Sequence, residues 1–393
     1  KYLGSLEFSC DVDAIPEGRF VFPHEPLVRI TGPLLQAQII ETPLLNILNF
    51  QTLIASKASR VVSACEGDPV LEFGLRRAQG VDGALAASRA AYLGGCAATS
   101  NVLAGKRFGI PVKGTHAHAW VMAFDTEKEA FEAYADAMPN NCVFLVDTYD
   151  TVEGVKRAIE VGHELRKRGA EMVGVRLDSG DLAELSIAAR NLLDEAGFPD
   201  AQVVASNDLD EHVVTSLKQQ GARVGVWGIG TKLVTAFDQP ALGGVYKLAG
   251  VQNEDGSWDY KVKLSEQAIK ISTPGIQQVR RYMQDGEPVG DVLFEEQLGL
   301  DDAGECVDIN DYQRPRKLAG LGHIDLLEPI FRAGKLVYDI PTLEQSRALA
   351  AEERAAFPRT MLRPLNPQLY GVNLDKRLFE LKSRLVREAR GHQ

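Results

Sequence analysis

Between positions 142 and 231 the chain alternates short apolar runs with stretches whose apolar residues recur at helical spacing. The runs are CVFLV (142–146), AEMVGVRL (170–177), AQVVAS (201–206) and ARVGVW (222–227), and each leads into polar residues or glycine. Short valine-rich runs bounded in this way predict βα units feeding a parallel sheet. Their ends read DTYD (147–150), RLDSGD (176–181), SND (206–208) and GIGT (228–231). The carboxyl ends of parallel strands face one way, so the four sets are expected to converge on one mouth, where an active site belongs.

The flanks follow other periods. Residues 1–40 carry β-like pieces, LEFSCDV (6–12), RFVFP (19–23) and PLVRI (26–30), punctuated by proline and glycine, which predict a small antiparallel sheet. From Thr42, a plausible N-cap with Pro43 behind it, apolar residues at helical spacing predict a long amphipathic helix. VLEFG (70–74) reads as a strand that delivers Arg76 and Arg77, TSN (99–101) opens a short helix, and IPVKGTHAHAW (110–120) places Gly114, Thr115, His116 and His118 around a strand end. Beyond Thr231, VYKL (245–248), YKVKLS (260–265), QQVRRYM (277–283) and DVLFEE (291–296) alternate as antiparallel strands do, and GLDDAGE (299–305) reads as an exposed loop. Helices are expected at 343–356 and at 374–387, the latter with Leu374, Leu378, Leu381 and Leu385 on one stripe. The outer pieces are expected to form one discontinuous domain, 1–66 with 245–393, around a barrel-like catalytic domain at 67–244.

Composition narrows the function. At 393 residues the chain can bury two cores, and a net charge of −11 argues against a general binder of nucleic acid or of anionic membranes. No apolar run approaches the ~20 residues of a membrane-spanning helix. Five widely spaced cysteines without a CxxC fit reduced thiols in the cytoplasm.

Arg176 is the most informative single residue, because an arginine inside an apolar strand is costly unless it meets a ligand or a carboxylate. Asp178, two positions on, shares its face. Ser179 and Asp181 would serve equally as caps of the following helix. The glycines of GIGT allow backbone to approach a phosphate, and an ordinary tight turn would use them as well. His116 and His118 form an HxH that could bind a metal at a strand end. Such a site needs further histidines on later strand ends, which carry Asp147, Asp178 and Asn207 instead, so no metal ligand is assigned. Arg76, Arg77, Lys57, Lys113 and Lys232 place cations around the expected mouth, as a phosphate-bearing substrate requires.

Taken together, ETPLLNILNFQTLIASKASR, EFGLRRAQG, TSNVLAG, GTHAHAW, VDTYD, VRLDSGDL, SND, GIGT, GGVYKL, KLSE and TPG resemble the nicotinate phosphoribosyltransferase family, in the family's order and over nearly the whole chain. The resemblance implies an irregular α/β barrel of the type II phosphoribosyltransferase fold with an α/β sandwich built from both chain ends. It implies a cytoplasmic homodimer, with sites at the interface, that joins nicotinate to phosphoribosyl pyrophosphate in NAD salvage. Mg²⁺ and ATP hydrolysis through a phosphohistidine accompany the reaction. Carried over by motif, His118 is the phosphorylated residue and His116 occupies a variable position. Phe73 stacks on the pyridine ring and Arg76 binds phosphate. Ser100 stands where nicotinamide-using relatives have an aspartate, and its hydroxyl can donate to the nicotinate carboxylate. Arg176 and Asp178 border the base and ribose, with Thr115 and Asp147 beside them, and Asp147 or Asp150 would orient the His118 ring. Ser206, Asn207, Gly228, Gly230 and Thr231 hold the 5-phosphate. Two departures stand out: an N-terminal tyrosine segment of the family is not recognisable, and Gln277 replaces an expected lysine. The alternatives are a sister enzyme using nicotinamide or quinolinate, and a non-catalytic scaffold that binds metabolites.

Overall fold

The computed structural model describes residues 2–267 and 270–391. The chain divides into two compact units, Lys1–Leu48 with Gly243–Gln393, and Asn49–Leu242. The pattern had placed this boundary at 66/67, after the long helix rather than within it.

The first unit opens with strands β1 (Asp11–Ala14) and β2 (Val28–Thr31), paired antiparallel as expected. RFVFP between them is not a strand. The Phe20 carbonyl accepts from Arg281 and the Phe20 amide donates to Glu353, so side chains satisfy its backbone, while Phe22 stacks on Tyr370 at 4.1 Å. Helices α1 (Leu34–Ile39) and α2 (Glu41–Ala64) follow. Pro43 sits within the first turn of α2, where a missing N–H costs nothing.

In the second unit the predicted alternation is present: β3 (Val70–Glu72), α3 (Val81–Leu93), β4 (Ala98–Thr99), α4 (Val102–Phe108), α5 (His118–Val121), α6 (Glu127–Ala137), β5 (Val143–Leu145), α7 (Thr151–Lys167), β6 (Gly174–Leu177), α8 (Leu182–Glu195), β7 (Gln202–Ala205), α9 (Glu211–Gln219), β8 (Val226–Ile229) and α10 (Thr231–Val234). The six strands lie parallel in the order β4-β3-β8-β7-β6-β5. Helix α7 packs so closely on the exit of β5 that a Cβ at Gly154 would stand 2.0 Å from the Val146 carbonyl oxygen, which is why glycine interrupts an otherwise regular helix. The seam between β4 and β5 is spanned by residues 111–116. Pro111 and Lys113 hydrogen-bond Thr99 at the edge of β4, and His116 Nε2 then accepts the Leu145 amide of β5 at 3.2 Å. One histidine side chain thus does the work of a strand pairing in an irregular barrel.

The remainder of the first unit is antiparallel, with one exception. Strands β9 (Gly250–Gln252) and β10 (Trp258–Tyr260) make a hairpin. Then come β11 (Gln277–Gln284), β12 (Glu287–Glu295), β13 (Glu305–Asp308), β14 (Pro315–Lys317), β15 (Gly322–Asp325), β16 (Glu328–Arg332), β17 (Lys335–Leu336), α11 (Leu343–Ala356), β18 (Val372–Asp375) and α12 (Lys376–Gly391). One sheet runs β14-β13-β18-β12-β11-β15 and another β17-β16-β1-β2, so chain segments more than 300 residues apart share a ladder. In the six-stranded sheet β18 runs parallel to β12.

Three sequence expectations are corrected here. VYKL joins no ladder, and YKVKLS contributes only Tyr260 to a strand. The last helix begins at Lys376 rather than at 374: Leu374 belongs to β18, fully buried and paired with Leu293 on one side and Val307 on the other. Its place in the leucine stripe is a coincidence of spacing. Among the described residues no helix is long and apolar enough to cross a membrane.

Candidate active site

The carboxyl ends of the parallel strands meet as anticipated. From β6, Arg176 and Asp178 form an ion pair at 2.8 Å. The remaining arms of the guanidinium donate to Ser206 Oγ, after β7, at 2.8 Å and to Thr115 Oγ1, in the seam segment, at 2.8 Å. Ser206 in turn hydrogen-bonds Asp178 Oδ1. From β5, Asp147 Oδ2 accepts the Asp178 amide at 2.8 Å and the Ser179 hydroxyl at 2.6 Å, while its Oδ1 is buried with no partner among the described residues. His118 opens α5 with Nδ1 3.1 Å from the Thr148 hydroxyl, and its Nε2 faces Asp178 Oδ2 at 3.7 Å and Asp147 Oδ1 at 4.0 Å.

Two oxygens, Asp178 Oδ2 and Asp147 Oδ1, therefore point at the open side of the His118 ring without a hydrogen bond. Burial pushes the Asp178 carboxyl up, but the Ser206 hydrogen bond and the Arg176 charge outweigh it and hold the group below the usual range, so it is ionised at neutral pH. His116 behaves oppositely. Burial lowers its imidazole to about 4, which keeps Nε2 free to accept from Leu145. The two histidines of one HxH thus divide into a structural plug and a mouth residue, with the His118 side chain 40% exposed.

Phe73 lies beside this cluster, its ring centroid 5.7 Å from the Arg176 guanidinium. Gly228 makes room for it, since a Cβ there would come within 2.9 Å of the ring. A Cβ at Gly230 would meet the Phe73 carbonyl oxygen at the same distance. Among the described residues neither the Ser100 nor the Thr231 hydroxyl has a hydrogen-bond partner, so both are available as donors. Asn207 adopts a φ of 105°, rare for a residue with a side chain, and its Oδ1 accepts the Asp208 amide.

Other candidates are differently placed. Ser206 is engaged both as acceptor and as donor, so a phosphate contact from it would have to displace one of those bonds. Asp150 caps α7 through the Glu153 amide and takes no part in orienting His118; Thr148, which the sequence reading passed over inside DTYD, does so. Lys57 is buried between Glu211 at 2.7 Å and Asp238 at 2.5 Å, and Lys232 pairs with Asp210 at 2.6 Å, so neither is a free cation at the mouth. Arg76 and Arg77 are exposed in the turn after β3, outside the hydrogen-bonded cluster. Gln277 turns its amide onto the Thr273 carbonyl. Among the described residues no group of three or more histidine, cysteine, aspartate or glutamate side chains is arranged to hold a metal.

A parallel α/β barrel with an arginine, two spare carboxylate oxygens and an open imidazole at its strand ends defines a barrel enzyme. Comparison with known proteins gives the family. Models of the nicotinate phosphoribosyltransferase N-terminal domain, family region and C-terminal domain match residues 1–49, 69–260 and 276–382. The nicotinate phosphoribosyltransferase of Bacillus subtilis is 44% identical over 95% of this chain and 79% of its own length. The crystal structure of human nicotinic acid phosphoribosyltransferase superposes with a TM-score of 0.82 at 31% identity, over 96% of this chain and 83% of that one. A nicotinate-nucleotide pyrophosphorylase from Pyrococcus furiosus shares the fold, with a TM-score of 0.71 at 22% identity over 89% of this chain and 82% of its own. The chain belongs to the nicotinate phosphoribosyltransferase family.

Proposed function

We propose that the protein joins nicotinate to phosphoribosyl pyrophosphate, giving nicotinate mononucleotide and pyrophosphate in NAD salvage, and that ATP hydrolysis drives the reaction through phosphorylated His118. The observation that carries this reading is the Arg176–Asp178 pair, which leaves one ionised oxygen of Asp178 unused beside Phe73 and His118. As pyrophosphate departs, positive charge develops on the ribose, and an anion fixed in place stabilises it without reorganising. Nicotinate would lie on Phe73 with Arg176 at its edge and its carboxylate on Ser100. An aspartate at that position would repel the acid, and a quinolinate site would need additional cations for a second carboxylate. The 5-phosphate would be held by Thr231 with the Gly228, Gly230 and Asn207 backbone, and Arg76 would supply charge to the leaving group. Mg²⁺, which takes one or two carboxylates together with substrate phosphate oxygens, would be held by Asp147 and the pyrophosphate and would neutralise the leaving group, with Asp178 left to the ribose.

For His118, Thr148 can accept a hydrogen bond from Nδ1–H, which leaves the Nε2 lone pair to attack the γ-phosphorus of ATP, with ADP departing. The exposed side chain supports this role. We place the enzyme in the cytoplasm, a reading supported by Cys10, Cys65, Cys142 and Cys306, which are buried and form no disulfide, and as a homodimer whose sites draw on both copies.

The test is mononucleotide formation from nicotinate, nicotinamide or quinolinate with phosphoribosyl pyrophosphate, with and without ATP, in the intact protein and in His118→Ala. Turnover of nicotinate that ATP stimulates only in the intact protein supports the whole reading. Equal ATP stimulation in both proteins removes the role of His118, and preference for nicotinamide or quinolinate removes the substrate.

A further inference from the structure

We propose that Glu72 is a positioning residue that sets the two walls of the nicotinate pocket at once; the inference rests on the assignment of Phe73 and Ser100 to that pocket. Glu72 ends β3 and is 1% exposed. Its Oε1 accepts the Gly74 amide, its Oε2 accepts the hydroxyls of Ser88 at 2.8 Å and Thr99 at 2.6 Å, and its carbonyl accepts the Ser100 amide at 2.9 Å. Thr99 Oγ1 then accepts the Asn101 amide at 3.0 Å, and Asn101 Nδ2 donates to Ser88 Oγ at 3.2 Å.

This one residue therefore binds the backbone of Gly74, immediately after Phe73, and the backbone of Ser100. Through Thr99 it also reaches Asn101, so both neighbours of Ser100 are tied to the residue before Phe73. Ser88, Thr99 and Asn101 are each at most 3% exposed, so the network lies in protein rather than in water. A buried carboxylate is an unusual choice for holding two short strands together, because apolar packing would do it without a desolvation cost. What a carboxylate adds is geometry: an acceptor-only group holds three donors in fixed directions, and bonds to a charged acceptor are about twice as strong as neutral ones. A base sandwiched on Phe73 and hydrogen-bonded at one edge by Ser100 requires that spacing to be held within a few tenths of an ångström.

Glu72→Gln tests this. Ser88 has a second acceptor in the Ala84 carbonyl at 2.9 Å, so the hydroxyls can turn to suit an amide and the variant can fold. The expected result is a nicotinate KM raised about ten-fold, the scale of one lost bond to a charged acceptor. The KM for phosphoribosyl pyrophosphate and kcat should stay within about two-fold. Combined with Ser100→Ala, the effect of Glu72→Gln should shrink, since it acts through the group already removed. A melting temperature lowered with no change in nicotinate KM, or an equal loss in kcat and in both KM values, would make the network a structural staple and overturn the proposal. Ser100→Ala alone separates the two levels: if it leaves the nicotinate KM unchanged, the pocket assignment fails; if it raises KM while Glu72→Gln does not, only the positioning role fails.

Discussion

Two strands of this protein each set an arginine beside an aspartate, and the pairs have opposite characters. In the first unit Arg281, 1% exposed, donates to both oxygens of Asp291, to Glu353 and to the Phe20 carbonyl, with the rings of Phe22, Phe357 and Tyr370 around its guanidinium. Asp291 is completed by the Tyr370 hydroxyl at 2.7 Å. In the barrel Arg176 is as fully occupied, yet it leaves Asp178 with a free oxygen facing an exposed histidine, and a second carboxylate beside it unsatisfied. Burial of an ion pair does not by itself mark a functional site. Unspent hydrogen-bonding capacity, pointed at an opening, does.

The sharpest way to separate the pairs is to break each. Asp291→Ala leaves a fully buried guanidinium short of its main partner. Removing one member of such a pair costs about 3–5 kcal/mol, so a melting temperature lowered by roughly 10 °C is expected in calorimetry. A shift near zero would mean that Glu353 and the aromatic rings suffice.

A second comparison lies within the HxH. The His116 imidazole is held at about 4 against an ordinary value near 6.5, so between those pH values the unfolded chain binds a proton that the folded protein refuses. Its contribution is therefore complete above about pH 6.5 and is lost as pH falls towards 4, by up to about 3 kcal/mol. His116→Asn should flatten that part of the stability–pH curve, measured by denaturant unfolding, while leaving a protein of lower stability at pH 7. An unchanged curve would show that the seam does not depend on this ring.

The smallest effect is expected at Gly228. An added methyl meets the Phe73 ring at 2.9 Å, so Gly228→Ala should tilt the ring and raise the nicotinate KM several-fold with little change in melting temperature. An unaltered KM would argue that Phe73 does not contact the base.

The barrel was legible because its strands are short valine-rich runs, and the mouth because each run ends in residues with no use in a core. Arg176 announced itself by standing inside such a run. Roles for Phe73 and Ser100 came only with the family resemblance, since a phenylalanine and a serine carry no signal of their own. What stayed hidden depends on register between distant segments: His116 meets Leu145 across 29 residues, and Glu72 meets Thr99 across 27. Periodicity also misleads where two patterns coincide, as when Leu374 continues the stripe of α12 backwards into β18. Lys57 and Lys232 were expected at the mouth on charge alone, and local carboxylates claimed both.

If the spare oxygen of Asp178 performs chemistry rather than holding the fold, turnover needs its charge and stability does not. Mononucleotide formation from nicotinate and phosphoribosyl pyrophosphate should be measured for the intact protein and for Asp178→Asn, alongside thermal melts of both. Asn keeps the size and the contacts to Arg176 and Ser206 but loses the charge, so kcat should fall about 10²- to 10³-fold, the range for removing one electrostatic stabiliser, with a melting temperature within a few degrees of the parent. Full activity in Asp178→Asn, with the fold intact, would contradict the account.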